Sequence, residues 1–139
     1  MFRAGNLILV MPMKTEKKRI LVVDDEPSIT RVLKLNLEQT NDYTVRAEND
    51  AQAAVAVAQE FKPHLILLDV MMPGLDGGEL ATRFQAVTEL KSVPIVFLTA
   101  AATKGEVYAR GGQVGGLPFL AKPVEISEVI ACLRQHLRG

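Results

Sequence analysis

Tryptophan is absent from this 139-residue chain, and aromatic residues make up only 5% of it. A core must therefore come from aliphatic side chains, which the 48% apolar content supplies. A single cysteine, Cys132, excludes an internal disulfide and fits a reducing, cytoplasmic setting. No apolar run approaches the ~20 residues that a membrane-spanning helix needs. Leu7-Ile8-Leu9-Val10-Met11 follows Arg3 in the manner of a secretory signal, but no small-residue cleavage site comes after it and the next residues are charged. Net charge is also lacking, at +0, although it is unevenly placed. Arg3, Lys14, Lys17, Lys18 and Arg19 face only Glu16 at the start, which leaves the rest of the chain acidic by four charges. Such a domain has no overall attraction to nucleic acid. The basic start reads as a solvated lead-in to a first strand.

What is present fits one domain. Residues 1–18 read as an N-terminal extension, disordered in part, with Met1, Met11 and Met13 as alternative starts, and residues 19–139 as the domain. From residue 19 onward, strand and helix signals alternate. Residues 19–23 form a short apolar strand. Residues 27–39 are amphipathic, with Ile29, Val32, Leu33, Asn36 and Leu37 at helical spacing and Pro27 in the first helical position. Residues 43–47 alternate as a weaker strand, and Asp50 is a candidate N-cap for an Ala-rich helix to Glu60. Leu65–Leu68 is a strand buried on both faces; residues 76–87 are a helix weakened at its start by Gly77 and Gly78. Residues 94–100 give another buried strand, 104–110 a short helix, 118–121 a last strand, and 124–137 a closing helix.

Strict alternation with near-continuous apolar strands predicts an α/β fold. The expected architecture is a doubly wound, flavodoxin-like parallel sheet of five strands, order 2-1-3-4-5, with five helices in a three-layer sandwich. Ligands of such sheets bind at the carboxyl ends of the strands. Here those ends carry Asp24, Asp25 and Glu26 after strand one, Asp69 after strand three, Thr99-Ala100 after strand four, and Lys122-Pro123 after the last. Crowded carboxylates repel unless a cation intervenes, and Mg²⁺, a hard oxygen-seeking ion, suits them. With a lysine and a hydroxyl added, the set describes a site for a tetrahedral dianion beside a carboxylate able to accept a phosphoryl group. Singly, each residue has a plainer reading: Asp24, Asp25 or Asp69 as helix caps, Thr99 as a strand end, Lys122 as a surface lysine. The four strand ends together carry the argument.

The stretches ILVVDDEP (20–27), LILLDVMMPGLDG (65–77), PIVFLTA (94–100) and PFLAKP (118–123) resemble, in order and spacing, the receiver domain of two-component response regulators, over residues 19–138. The resemblance implies that Asp69 is the phosphoacceptor, taking a phosphoryl group from a phosphohistidine on a sensor histidine kinase or phosphotransfer protein. It implies Mg²⁺ held by Asp24, Asp25, Asp69 and the backbone carbonyl of Met71. It assigns phosphoryl binding to Lys122, Thr99 and Ala100, the switch to Thr99 and Phe119, and a cis bond to Lys122–Pro123. Met71 and Ala101 occupy the positions that tune hydrolysis, and neither can orient an attacking water, so slow self-dephosphorylation is expected. The chain is then a phosphoacceptor switch rather than an enzyme. Its output is expected to be a downstream protein target or onward transfer, with a phosphorylation-dependent dimer left open. Neither direct DNA binding nor membrane contact is expected of this chain.

The sequence departs from the family at GGQVGGLPF (111–119), where glycines and Leu117-Pro118 replace the usual acidic pair, so a regular fourth helix is in question. Three other readings compete. An aspartate-nucleophile phosphatase would want an acid at position 71, which is methionine. A nucleotide-binding domain would want a glycine-rich loop after strand one, which is missing. A phosphate-independent interaction module shares every site residue with the receiver reading. His64 and His136 lack partners at ligand spacing and read as surface residues. Cys132 reads as a core-edge thiol, and Met71-Met72 as loop packing.

Overall fold

The computed structural model describes residues 16–72, 74–100, 113–114 and 117–137. Its six strands are β1 (Lys18–Val23), β2 (Tyr43–Glu48), β3 (Leu65–Asp69), β4 (Ile95–Thr99), β5 (Gln113–Val114) and β6 (Leu117–Ala121). The helices are α1 (Pro27–Glu38), α2 (Ala54–Phe61), α3 (Gly77–Ala86) and α4 (Ile126–His136). The sheet order is β2-β1-β3-β4-β6-β5. Five of these strands pair in parallel, in the predicted doubly wound order, with β6 as the fifth.

Alternate strand residues feed opposite layers, as a pleated strand requires. Leu21, Val23, Ile66 and Leu68 join Ala54, Ala58, Leu80 and Phe84 of α2 and α3. Ile20, Val22, Leu65 and Leu67 join Leu33, Leu37, Val129 and Leu133 of α1 and α4. These eight strand residues are fully buried, so the continuous apolar runs are explained by helices on both faces. Cys132 is buried in the second layer, where burial pushes its thiol pKa up to about 11.

Local chemistry sets the helix ends. α1 has Pro27 in its first turn behind Glu26 as N-cap, and Thr30, Leu33 and Leu37 face inward. Val32, expected on the inner stripe, is 56% exposed instead. Asp50 caps a 3-10 turn, 51–53, that precedes α2, accepting from the Gln52 N–H at 2.9 Å. Arg19 closes the other end of α2, its Nε donating to the carbonyls of Phe61 (3.1 Å) and Lys62 (2.8 Å). His64, expected as a plain surface residue, is half-buried and accepts the Arg19 N–H on Nδ1 at 2.9 Å.

One strand was not anticipated. Gln113–Val114 pairs antiparallel with Leu117–Pro118 at the sheet edge. The signal was available as Gly115-Gly116, two glycines between short segments, which marks a tight hairpin. The helix expected over 104–110 lies outside the described residues. So do Ala101 and most of the N-terminal extension, residues 1–15.

Candidate functional site

Parallel register brings the predicted residues to one rim. Val23 is paired with Leu68, Asp69 with Leu98, and Thr99 with Ala121, so the next residues of four adjacent strands emerge side by side. Asp24 is fully buried, Asp69 3% exposed and Thr99 4% exposed. Asp25 is half-buried. Carboxylate oxygens of Asp24, Asp25 and Asp69 all lie within 4.8 Å of one another.

Lys122 is drawn over these acids. Its backbone N–H donates to the Thr99 carbonyl at 2.8 Å, extending the β4–β6 pairing by one residue. The Lys122–Pro123 bond that follows is cis. Nζ lies 2.7 Å from Asp24 Oδ2, 3.4 Å from Asp69 Oδ1 and 3.9 Å from Glu26 Oε1. Burial works against the charge on this amine. The close contact with Asp24 and the charge of Asp69 outweigh it, and the pKa is raised.

Asp69 shows the opposite balance. Burial and the nearby charge of Asp24 push its pKa up from 3.8 to about 6, against the pull of Lys122 and a 3.3 Å hydrogen bond from the Met71 N–H. One lysine does not neutralise three crowded acids. Asp24 Oδ1 accepts from the Glu26 N–H at 3.0 Å, whereas the buried Oδ2 accepts no well-formed hydrogen bond despite its ion pair. Three clustered acids that share one lysine match the needs of a hard divalent cation. The plainer reading of Asp24 and Asp25 as caps of α1 does not hold, because the N-cap is Glu26.

A tight turn follows Asp69. Gly74 has φ +80, where L side chains are strained. Asp76 caps α3, accepting from the N–H groups of Gly78 (2.6 Å) and Glu79 (3.2 Å). Gly77 donates to the Val70 carbonyl at 2.7 Å, and a Cβ there would collide with the Asp69 carbonyl oxygen. The two glycines read as helix weakeners thus include one that lets α3 start against the strand end.

Met71 is 66% exposed and Met72 buried, so only the second packs as expected. Ala100 is exposed at the rim, and Phe119 is 2% exposed within the core layer of α2 and α3. Beside Lys122 and Ala100 lies an open groove of about 710 Å³, lined mainly by apolar side chains including Ile29, Val32, Val124 and Ile126. No helix among the described residues is long and apolar enough to cross a membrane. Two contributors near the site had not been singled out from the sequence: Asn49, which donates to the Asp24 carbonyl, and Thr30, to which it also donates.

A family model described as the response regulator receiver domain matches residues 20–134. The Bacillus subtilis transcriptional regulatory protein ResD is 39% identical over 127 residues, covering 90% of this chain and 50% of that protein. The chain spans about half the length of the curated relatives it matches. Among solved structures, the Vibrio cholerae chemotaxis protein CheY4 aligns with a TM-score of 0.74 at 29% identity, covering 88% of this chain and all 100% of that one. The receiver domain of the Pseudomonas aeruginosa sensor histidine kinase PA1611, which has a magnesium ion coordinated in its active site cleft, aligns at 0.72 with 29% identity, covering 87% and 98%.

Proposed function

The chain belongs to the response regulator receiver domain family of two-component systems, and from that premise we propose that it is a phosphoryl-accepting switch whose acceptor is Asp69. The observation that carries the proposal is the buried convergence of Asp24, Asp25 and Asp69 with Lys122 2.7 Å from one acid and 3.4 Å from another.

In this reading a carboxylate oxygen of Asp69 attacks the phosphorus of a phosphohistidine on a sensor histidine kinase or phosphotransfer protein. The O–P bond forms as the P–N bond breaks, and the imidazole leaves with a solvent proton. With a pKa of about 6, Asp69 is mostly ionised at pH 7.5 and available as the nucleophile. Mg²⁺, held by Asp24, Asp25, Asp69 and the Met71 carbonyl, supplies charge neutralisation for the phosphoryl oxygens when bound. Lys122, freed from Asp24, pairs with one of those oxygens. Thr99 and the backbone at Ala100 donate to others. Movement of Thr99, followed by Phe119, carries the change to the surface that meets a downstream protein. The apolar groove beside Lys122 offers the donor protein a face next to the acceptor.

Met71, exposed and apolar two residues past Asp69, cannot act as the general acid of a phosphatase or orient a hydrolytic water. This supports a long-lived phosphoryl group and a switch rather than a turnover enzyme. The test is incubation of the purified protein with a small acyl phosphate, with and without Mg²⁺, beside Asp69→Ala. Phosphate is expected only with both Mg²⁺ and Asp69. A folded wild type that binds Mg²⁺ and stays unlabelled would overturn the proposal in favour of a phosphate-independent interaction module.

A further inference from the structure

Asn49 stands just past the end of β2, at the same rim as the acids. Its side chain faces two acceptors: the Asp24 carbonyl oxygen at 2.8 Å and Thr30 Oγ1 at 3.0 Å. A peptide carbonyl can only accept, so the amide nitrogen must be the group that points there. The Thr30 hydroxyl spends its proton on the Pro27 carbonyl at 3.2 Å, which leaves its lone pairs for Asn49. Thr30 is 2% exposed, so this anchor is withdrawn from competing water.

The carbonyl that Asn49 holds belongs to the peptide linking Asp24 to Asp25. Strand pairing no longer fixes this peptide, since the β1 register ends at Val23 in both directions. The Asp24 N–H still donates to the Glu48 carbonyl at 3.1 Å, and Asp24 Oδ1 receives the Glu26 N–H at 3.0 Å. Rotation of the Asp24–Asp25 peptide would swing the Asp25 carboxylate relative to Asp24 and Asp69. The Asn49 clamp opposes that rotation and ties the peptide to the first turn of α1.

We infer that Asn49 is a positioning residue for the metal-holding acids, setting their separation through the Asp24 carbonyl without touching the ion. The inference rests on the Mg²⁺ reading above. Removing an outer residue that orients ligands costs roughly 10–100-fold in metal affinity. Asn49→Ala should therefore raise the Mg²⁺ dissociation constant by about tenfold, at the low end of that range. Asn49→Asp separates geometry from charge. An added carboxylate near the acids would tighten Mg²⁺ binding if charge alone mattered; loss of the amide donor weakens it if position matters.

The experiment is calorimetric Mg²⁺ titration of the wild-type, Asn49→Ala, Asn49→Asp and Thr30→Val proteins, well below their melting temperatures in EDTA. Acyl-phosphate labelling at varied Mg²⁺ runs beside it. Weaker Mg²⁺ binding is expected in both Asn49 variants, and a smaller loss in Thr30→Val, which keeps the Asp24 contact. The labelling defect should appear in the half-saturating Mg²⁺ concentration more than in the saturated rate. Unchanged Mg²⁺ affinity with a lowered melting temperature would overturn the inference and leave Asn49 a loop staple. Tighter binding in Asn49→Asp would overturn it too. A wild type that binds no Mg²⁺ would instead remove the metal reading on which it stands.

Discussion

Replacing Asp69 with asparagine should make the metal-free protein more stable, although it removes the proposed acceptor. The folded state raises the Asp69 pKa from 3.8 to about 6, chiefly by burial and then by the charge of Asp24. At about 1.36 kcal/mol per pKa unit, holding this carboxylate ionised at pH 7.5 costs at most about 3 kcal/mol of folding stability. The amide has nearly the same volume and no charge, so the expected gain is about 1–3 kcal/mol, the attraction to Lys122 being already contained in the net shift and the lower figure allowing for the cost of burying the amide's own polar groups. For a domain of this size that corresponds to roughly 4–10 °C in melting temperature. The sign follows from proton binding. A carboxyl whose folded pKa is raised binds its proton more tightly when folded, so the wild type gains stability as pH falls from about 6 towards 3.8. The difference between the proteins is therefore full above pH 6 and vanishes near pH 4. Thermal melts in EDTA between pH 4 and 8 measure it. Added Mg²⁺ should reverse the order, because the wild type keeps a ligand that the variant lacks. Equal stability at pH 7.5, or a gap that does not close on acidification, would refute the account of Asp69 as a strained buried charge.

Gly77→Ala should destabilise by about 2–4 kcal/mol, since its Cβ would meet the Asp69 carbonyl and lie 2.7 Å from Val70 Cα, with only backbone to give way. Urea melts would show it, and a change below about 0.5 kcal/mol would contradict the close approach. Acidification should weaken the anchor at Arg19. The His64 pKa is lowered, first by burial and then by Arg19 and Lys18, and Nδ1 must stay unprotonated to accept the Arg19 N–H. Its contribution is present above the ordinary value of 6.5 and is lost as pH falls below it. His64→Leu should flatten that part of the melting curve between pH 7 and 5, and an unchanged slope would count against it.

Much of this protein is legible in one dimension because a two-sided parallel sheet leaves a strong mark. Ile20–Val23 and Leu65–Leu68 are apolar without alternation, since helices cover both faces, and each run stops at an acid. Strand order then follows from handed crossovers, and the common rim from strand direction. The β5–β6 hairpin went unrecognised because its strands are short and its glycines read as breakage rather than as a turn. Val32 was placed inward because helical spacing defines a stripe without defining its width. What only the tertiary structure decided is local and long-range at once. Whether Lys122 reaches Asp24 and what holds the Asp24 carbonyl depend on atoms brought together across dozens of residues, and why Gly77 has no side chain depends on how closely α3 starts against the end of β3. Hydrogen bonds and ion pairs act over about 3 Å, and no periodicity in the chain encodes a distance that small.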